Sequence, residues 1–196
     1  MSPRPYHLGK RQAQIDASRR RVIDAARSLL SEATTYSEFT VDAVARQADV
    51  ARATVYYQFG SKTGLIEALC DALALAAGMD ALPDAFADED PQRALHRFVA
   101  QFARFWSADR PVMRRLRALA ALDPEVGGVI SARDERLRRG LEVLLARVPH
   151  PDDALAVVSA LIRFETFDAL AGSDQQPTDV VPSVLRLIDA ALQEPC

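Results

Sequence analysis

Apolar residues recur at the three- and four-residue spacing of an α-helix along most of the chain, and no segment alternates apolar and polar residues as a half-buried β-strand does. This pattern predicts an all-α fold. Capping residues, prolines and glycines divide the pattern into nine helices. Their approximate ranges are 19–31, 41–48, 51–57, 62–78, 91–108, 111–122, 124–148, 151–171 and 179–193.

Two segments without an apolar face separate the predicted parts of the chain. Residues 1–17 indicate a flexible basic arm, and residues 78–91, which mix Gly, Pro and acidic residues, indicate a linker. We therefore expect an N-terminal helical domain over 18–78 and a C-terminal helical domain over 79–196. The helices that begin at 91 and 124 each follow an Asp-Pro pair, which combines a capping acid with a proline at the first helical position.

Two short helices joined by a tight turn occupy residues 40–62, TVDAVARQADVARATVYYQFGSK. Thr40 precedes the first apolar position as an N-cap, and Asp42 lies in the first turn, where the helix dipole favours an anion. The helical pattern is interrupted at Asp49 and resumes at Ala51. A helix, a turn of a few residues and a second, steeply inclined helix form a helix-turn-helix, which is a DNA-binding shape.

The outer face of the second helix carries side chains that suit DNA. Small and hydrogen-bonding residues there can approach base edges closely. Two phenols and an ammonium group near the end of the helix suit phosphate oxygens. The predicted DNA-binding residues are Thr40, Ala51, Arg52, Ala53, Thr54, Tyr56, Tyr57 and Lys62. We expect Phe59 to be a core residue and Tyr56 to be half-buried with its hydroxyl towards DNA.

This segment resembles the DNA-binding motif of the TetR family of bacterial transcriptional regulators, A-x-x-A-G-V-x-x-x-T-[LIV]-Y-x-[YH]-F-x-[SN]-K-x-x-L. The resemblance covers about one quarter of the chain, from about Arg20 to Ala72. It is specific because many positions agree at fixed spacing. In this chain the motif stands as Ala45, Ala48, Val50, Thr54, Val55, Tyr56, Tyr57 (at an unrestricted position), Phe59, Ser61, Lys62 and Leu65.

Two positions depart from the motif. Asp49 stands where a glycine usually supplies a positive φ, and aspartate is among the few other residues that adopt this conformation at small cost. We therefore expect the turn to form. Gln58 stands where His or Tyr is usual, and its amide can still donate to a phosphate. The resemblance implies a regulator, usually a repressor, that a small-molecule ligand releases from DNA.

The charge distribution favours an N-terminal DNA-binding part. The whole chain has a net charge of −3. Residues 1–62 contain ten basic and six acidic residues, a net charge of +4, which leaves −7 for the remainder. A basic N-terminal part suits the phosphate backbone. The arginines at 19–21 would open the first helix against its dipole, and a nearby phosphate would offset that cost. For residues 4–11 a solvated tail is an equal alternative.

The sequence contains no catalytic motif. His7, His96 and His150 fall in the arm, in a helix and in a loop, and there is no glycine-rich phosphate loop, HExxH or CxxC. Glu165 and Asp168 lie three residues apart near Arg163, which indicates ion pairs or a place at the dimer seam rather than catalysis. We expect no enzymatic activity, cofactor or metal, and a helical enzyme is the remote alternative.

Cysteine usage and hydropathy bear on location. Cys196 is the last residue and Cys70 lies on an apolar helical stripe, so the two do not make a disulfide framework. We expect Cys70 to be a small buried hydrophobe, with a redox-sensor role as the alternative. No apolar run approaches the ~20 residues of a membrane span, and no signal-peptide core is present. A reduced cytoplasm, without membrane association, is the expected location.

An aromatic cluster in the predicted helix 91–108 provides a candidate ligand site. The family resemblance implies an apolar cavity walled by this helix and by those at 111–122, 124–148 and 151–171. The predicted ligand-binding residues are His96, Phe98, Phe102, Phe105, Trp106, Phe164 and Phe167. The alternative is a filled aromatic core in a DNA-binding regulator that has no effector.

The last two predicted helices carry more apolar surface than one small chain needs. The apolar pattern over 151–171 covers more than one face, and that over 179–193 is a single stripe. A helix that is apolar on two faces is often part of an interface. The family resemblance implies a homodimer through about 151–193, and hence binding to a near-palindromic double-stranded DNA operator.

Overall fold

The computed structural model describes residues 6–32 and 39–193, and the predicted all-α fold is confirmed there, because these ranges contain helices and no strand. A 3-10 turn, Met79–Ala81, lies between the fourth and fifth α-helices. In chain order the α-helices are α1 (Tyr6–Glu32), α2 (Val41–Gln47), α3 (Arg52–Phe59), α4 (Lys62–Ala76), α5 (Leu82–Ala87), α6 (Pro91–Ala108), α7 (Arg110–Leu122), α8 (Pro124–Leu145), α9 (Ala154–Leu161), α10 (Phe164–Ala171) and α11 (Val181–Ala191).

The first helix is longer than its apolar pattern predicts. The structure differs from the predicted arm (residues 1–17) from Tyr6 onward, because α1 begins there, while the first five residues lie outside the described ranges. This segment is rich in good helix formers, and Gln12 donates to the Asp16 carboxylate across one turn (2.9 Å). The arginines at 19–21 therefore lie in mid-helix, and the conflict with the helix dipole expected for them does not arise.

Helix α4 connects the two halves of the chain and is buried on two sides. It contacts α1 and α3 on one side and α6 and α8 on the other. Its residues Leu65, Ile66 and Leu69 are fully buried, and Cys70 is only 3% exposed. Burial raises the pKa of the Cys70 thiol to about 11, so the thiol is neutral. The prediction that Cys70 is a small buried hydrophobe is confirmed.

The predicted linker over 78–91 contains a short helix. Gly78 adopts a left-handed conformation (φ 70°) after α4 and leads into the 3-10 turn and α5. Phe86 of α5 packs edge-on against Phe98 of α6, with 5.7 Å between the ring centroids. A helix of six residues is too short to show an apolar period, which is why the pattern predicts a linker here.

Both helix starts that an Asp-Pro pair predicts are confirmed. The Asp90 carboxylate accepts a hydrogen bond from the backbone N–H of Arg93 (3.0 Å) at the start of α6. The Asp123 carboxylate accepts from the backbone N–H groups of Glu125 (3.0 Å) and Val126 (3.3 Å) at the start of α8. These side chains satisfy amides that have no partner inside the helix.

The single helix predicted over 151–171 is broken in two. Helix α9 ends at Leu161, and α10 begins at Phe164. The carbonyl of Ile162, at the break, accepts the buried indole N–H of Trp106 (3.2 Å). A buried indole N–H needs an acceptor, and a carbonyl inside a continuous helix would already be bonded to its own helix. No glycine or proline marks the break, so the sequence pattern does not predict it.

Arg110 holds the start of α7 against the end of α10. Its buried guanidinium donates to the backbone carbonyls of Asp168 (2.9 Å), Gly172 (2.6 Å) and Gln175 (2.8 Å), as well as to the Asp168 carboxylate (2.5 Å). Burial raises the pKa of Asp168, but hydrogen bonds from Arg114 and Arg110 outweigh it, so this pKa lies below its usual value. Asp168 is ion-paired, as predicted, but with two arginines of α7 and not with Arg163.

The described ranges contain no cluster of metal-ligating side chains and no helix that could span a membrane. Among residues 6–32 and 39–193, no three metal-ligating side chains come together. His96 contacts the Asp189 carboxylate through Nε2 (2.9 Å), and Nδ1 of His150 contacts a backbone carbonyl. None of the helices in these ranges is long and apolar enough to cross a membrane.

Candidate DNA-reading surface and ligand cavity

The turn between α2 and α3 has the geometry that its sequence predicts. Asp49 has a positive φ of 51°, in the left-handed region. Its backbone N–H donates to the carbonyl of Arg46 (3.2 Å), and that of Val50 donates to the carbonyl of Ala45 (3.0 Å). These two bonds form a Schellman motif, which ends a helix through one left-handed residue. Aspartate therefore takes the conformation that glycine usually provides in this motif.

Both ends of the helix-turn-helix are held by local hydrogen bonds. The Thr40 hydroxyl accepts from the backbone N–H of Ala43 (3.1 Å) and begins α2. Gly60 (φ 75°) ends α3, and the Ser61 hydroxyl accepts from the N–H of Gly64 (3.0 Å) at the start of α4. A Cβ at Gly64 would lie 2.0 Å from the carbonyl oxygen of the last α3 residue, so only glycine allows α4 to begin this close to α3.

Most of the predicted DNA-binding side chains share one exposed surface. Val55 and Phe59 face the core, as predicted for Phe59, while Tyr57 is 83% and Tyr56 39% exposed. Thr54 and Lys62 are partly exposed. The remaining exposed members of the predicted set are Thr40, Ala51, Arg52 and Ala53. We call the exposed residues 51–57 together with Thr40 the reading surface.

Arg52 lies across the reading surface without being buried. Its Nη1 pairs with the Asp42 carboxylate (3.2 Å), and its Nη2 donates to the Tyr56 hydroxyl (3.3 Å). An exposed pair of this kind contributes little stability. Arg52 can therefore exchange Asp42 for a phosphate or a base edge at small cost.

Lys62 is engaged with the C-terminal half of the chain. Its Nζ lies 2.6 Å from Oδ2 of Asp123, the residue that also caps α8. The hydrogen bond from Lys62 is the main reason why the pKa of Asp123 lies below its usual value. A contact between Lys62 and DNA would therefore compete with this ion pair.

Arg19 and Gln58 join α1 to the end of α3 instead of facing solvent. Arg19 donates to the carbonyl of Gln58 (2.8 Å), and its guanidinium carbon lies 4.4 Å from the centre of the Phe59 ring. The Gln58 amide donates to the hydroxyl of Ser18 (3.1 Å). The Gln58 amide, which could donate to a phosphate, is thus bonded within the protein.

A cavity of about 350 Å³ lies between α4, α5, α6, α7 and α8. Its walls are mostly aliphatic and aromatic, with a few arginines and one aspartate. The lining residues are Cys70, Leu73, Ala74, Met79, Leu82, Phe86, Phe98, Phe102, Phe105, Trp106, Met113, Leu116, Arg117, Ile130, Arg133, Asp134, Arg136, Leu137 and Gly140. Helix α4 thus provides a wall that was expected from residues 151–171.

Four of the seven predicted ligand-binding residues line this cavity, namely Phe98, Phe102, Phe105 and Trp106. The other three do not. His96 lies on the outer side of α6 and contacts Asp189 of α11. Phe164 packs edge-on against Trp106 from outside the cavity, with 5.8 Å between centroids, and Phe167 is fully buried in the core. Both rings belong to α10, which contributes no residue to the cavity lining.

The sequence pattern does not predict the charged residues that line one end of the cavity. Arg117 makes two hydrogen bonds to Asp134 (2.6 and 2.7 Å), and its side chain is only 11% exposed. Arg133 is 22% exposed and donates to the backbone carbonyl of Glu67 (3.0 Å) on α4. Arginines on an amphipathic helix are usually solvated, so spacing alone does not indicate that these two are largely enclosed.

Among the residues that the structure describes, three ion pairs join the N-terminal helices α1–α4 to the C-terminal helices. They are Arg27 with Asp109, Lys62 with Asp123, and Arg133 with Asp71. The two C-terminal aspartates in the first two pairs also cap α7 and α8. The position of the reading surface is therefore tied to the first turns of α7 and α8.

The outer face of α9 and α11 exposes a small apolar strip. Val157 is 39% and Leu187 47% exposed. Three alanines, Ala156, Ala160 and Ala190, are exposed beside them. Ile188 and Val184 of α11 are fully buried within the chain. We call the five exposed residues the α9–α11 strip.

Comparison with known proteins bears on the N-terminal helices first. Residues 22–69 match the family of bacterial regulatory proteins of the tetR type. This range runs from the middle of α1, through the helix-turn-helix, into α4. The resemblance stated from the motif is confirmed, and with it the function of a DNA-binding transcriptional regulator. The search of curated proteins gives no match.

Solved structures with this fold span nearly the whole chain. A transcriptional regulator from Rhodococcus sp. Rha1 has a TM-score of 0.68 at 22% identity and covers 89% of this chain and 96% of its own. PfmR, a TetR-family regulator from Thermus thermophilus, has a TM-score of 0.65 at 22% identity and covers 88% of this chain and 99% of its own. NalD, the secondary repressor of the MexAB-OprM multidrug efflux pump in Pseudomonas aeruginosa, has a TM-score of 0.68 at 21% identity. It covers 91% of this chain and 97% of its own. At these identities the likeness establishes the fold.

We expect Asp49→Ala to lower the free energy of unfolding by about 1 kcal/mol, because alanine is strained at positive φ. Asp49→Gly should leave that free energy unchanged or raise it slightly, because glycine adopts this φ freely. Urea unfolding followed by circular dichroism measures both. An equal loss in the two variants would show that the turn depends on the aspartate side chain rather than on its backbone angle.

Proposed function

We propose that this chain, whose residues 22–69 match the TetR family, is a transcriptional repressor that binds a near-palindromic operator as a homodimer and is released by a small molecule. The observation that carries the proposal is the cavity walled by α4. The same helix begins directly after the reading surface. A molecule in the cavity therefore touches the helix on which the position of α3 depends.

The reading surface supports the DNA-binding part of the proposal. In a helix-turn-helix protein the second helix enters the major groove, and a two-fold dimer places its two reading helices about one DNA turn, ~34 Å, apart. The exposed small residues of α3 can approach base edges, and Arg52, Tyr56 and Tyr57 can approach phosphates. We assign α1–α4 to DNA binding and α5–α11 to effector binding and dimerisation.

The α9–α11 strip supports the proposed dimer. It combines an exposed valine and leucine with three exposed alanines, which allow close helix approach. A second copy that covers the strip through residues 151–193 would form a four-helix contact from two helices of each chain. The strip also indicates which side chains to test. Ile188, although part of the predicted stripe, is buried within the chain, whereas Leu187 is exposed.

The cavity and the interdomain ion pairs support release by an effector. A ligand acts on DNA affinity only if it binds one conformation more tightly than the other. Cys70, Leu73 and Ala74 of α4 line the cavity, so a ligand that displaces them moves α4. Such a movement would change the distance between the two reading surfaces of a dimer.

Lys62→Ala should weaken binding to all DNA sequences alike and reduce the salt slope by about 1, as expected for one phosphate contact. Asp123→Asn should act in the opposite direction. It removes the charge that competes for Lys62 while asparagine keeps an oxygen to cap α8. We expect a gain in DNA affinity of up to about fivefold, the scale of a partly exposed ion pair.

Fluorescence anisotropy with an operator duplex at several salt concentrations measures both variants, and Arg139→Ala on α8 is the control. If Lys62→Ala binds with the parent's affinity and salt slope, Lys62 does not contact phosphate. If Asp123→Asn binds no more tightly than the parent, the ion pair does not compete with DNA.

Leu187→Glu should produce a monomer that retains its helical circular dichroism but loses most of its operator affinity. The charge would be buried without a partner in the proposed interface, whereas it stays solvated in the monomer. Leu122→Glu, at a leucine that is 66% exposed on α7, is the matched control. Light scattering that reports an unchanged dimer for Leu187→Glu would place the interface elsewhere.

Phe102→Ala should weaken binding of a neutral aromatic probe, 4-phenylbutanamide, by roughly tenfold, because the ring forms part of the cavity wall. Operator affinity without the probe should stay close to that of the parent. Trp106 fluorescence measures probe binding, and a thermal melt measures stability. Phe167→Ala removes a buried ring that does not line the cavity and is the control.

If Phe102 is instead an ordinary core residue, its loss should cost roughly 3–5 kcal/mol and reduce probe response and DNA binding together, as expected for Phe167→Ala. A parallel loss of this kind would remove Phe102 from the effector site. A selective loss of probe binding supports the assignment of the cavity.

A further inference from the structure

We infer that the cavity selects a small, largely apolar molecule that carries one carboxylate, and that Arg133 and Arg117 bind this carboxylate. The inference rests on the proposed function, since the molecule would be its effector. Three independent features of the cavity lead to it: the balance of charge in the lining, two buried donors without acceptors, and the aromatic character of the remaining wall.

The lining has an excess of positive charge. Its ionised groups are the guanidinium groups of Arg117, Arg133 and Arg136 and the single carboxylate of Asp134. That carboxylate already accepts two hydrogen bonds from Arg117 and a third from Arg163 (3.1 Å). It therefore has little capacity left to hold a cationic ligand. A bound anion would meet a lining with more guanidinium groups than carboxylates, although Asp71 and Glu165 pair with Arg133 and Arg117 from outside the lining. A bound cation would add to the positive charge.

Two donors at the charged end are buried and lack acceptors. The Nε–H groups of Arg117 and Arg133 make no hydrogen bond to any described residue. The Nε of Arg117 lies 3.7 Å from a Glu165 carboxylate oxygen, beyond hydrogen-bond distance, and its guanidinium carbon lies 5.5 Å from the centre of the Trp106 ring. Buried donors without acceptors are costly, and an ionised carboxylate accepts most strongly from guanidinium. Both Nε atoms are closed off from the cavity space, so a carboxylate in the cavity would gain these bonds when a guanidinium group turns towards it.

The rest of the wall suits an apolar body. Phe98 and Phe102 pack with tilted rings at 4.9 Å between centroids, and Phe105 and Trp106 do so at 4.7 Å, so one side of the cavity is a continuous aromatic surface. The volume of about 350 Å³ corresponds to roughly a dozen water-sized groups at ~30 Å³ each. An arylalkanoic or medium-chain carboxylic acid satisfies both the size and the polarity.

Arg133 also provides a route from the ligand to α4. Its Nη2 donates to the backbone carbonyl of Glu67 and pairs with the Asp71 carboxylate, and both residues belong to α4. A ligand carboxylate on Arg133 would compete with the exposed carboxylate of Asp71 for the same guanidinium. Binding of the acid and attachment of α4 to α8 are thus coupled, and the coupling acts in both directions.

The test compares three near-isosteric probes on the unmodified protein. Trp106 fluorescence is titrated with 4-phenylbutyrate, 4-phenylbutanamide and 4-phenylbutylamine, which share a phenylalkyl body and carry an anionic, a neutral and a cationic polar head. The acid and the amide also share a planar carbonyl group, so they form the matched pair. We expect the acid to bind at least tenfold more tightly than the amide and the amine to bind most weakly. Equal affinities for acid and amide, a preference for the amine, or binding by none of the three would overturn the inference.

Two variants assign the preference to Arg133. Arg133→Gln should reduce affinity for the acid at least tenfold and leave the amide unchanged. Asp71→Asn, at a largely exposed site, should raise the affinity for the acid and leave that for the amide unchanged, because the competing carboxylate is gone. Arg139→Gln, at an exposed arginine of α8 outside the cavity, is the control and should change neither affinity. If Arg133→Gln and Asp71→Asn both keep the parent's preference, Arg133 is not the carboxylate ligand.

The outcomes separate this inference from the proposed function. Tight binding of the amide, with release of operator DNA, would exclude a carboxylate-selective site and still support a small-molecule repressor. Tight binding of the acid without any effect on operator affinity would support the site and contradict effector release. Operator affinity of the ligand-free protein is measured in parallel and depends on neither result.

Discussion

Both halves of this protein depend on the burial of α4 on two sides. One face packs against α1 and α3, and the other closes the cavity together with α6 and α8. Because protein interiors are closely packed, a helix held in this way cannot shift against one neighbour without shifting against the other. The position of α3 and the shape of the cavity therefore both depend on the position of α4.

The contact between α3 and α4 is especially close. Gly64 has no side chain to separate the start of α4 from the end of α3, and Ser61 caps α4 within the same turn. The connection of Gly60, Ser61 and Lys62 is too short and too well bonded to absorb a movement of α4. If α4 moves at the cavity wall, α3 and the reading surface should therefore move with it, because the two helices are held together as a rigid pair.

Two capping aspartates add further contacts between the N-terminal and the C-terminal helices. Asp109 and Asp123 each accept backbone N–H groups at a helix start and also pair with a basic residue of the N-terminal helices. A carboxylate at a helix start is already stabilised by the helix dipole, so its position is well defined before it meets Arg27 or Lys62. Residues that begin α7 and α8 therefore also position the DNA-binding part.

The candidate site was only partly predictable from the sequence. Phe98, Phe102 and Trp106 were found because they share one face of a regular helix. Arg117 and Arg133 were missed because a charged residue on an amphipathic helix is ordinarily solvated, and nothing in its neighbours along the chain indicates otherwise. The α4 wall was missed because its apolar stripe is equally well explained by packing within the N-terminal domain.

The sequence by itself determined the features that are decided within a few residues. These are the helical period, the caps at Asp90 and Asp123, and the turn at Asp49, each of which satisfies backbone groups of its own segment. The tertiary structure alone decided where α9 breaks from α10 and what Lys62 binds. The first depends on Trp106 and Ile162, which are 56 residues apart, and the second on a partner 61 residues away. Packing brings such groups together, and a period of three or four residues contains no information about which distant side chain will lack a partner.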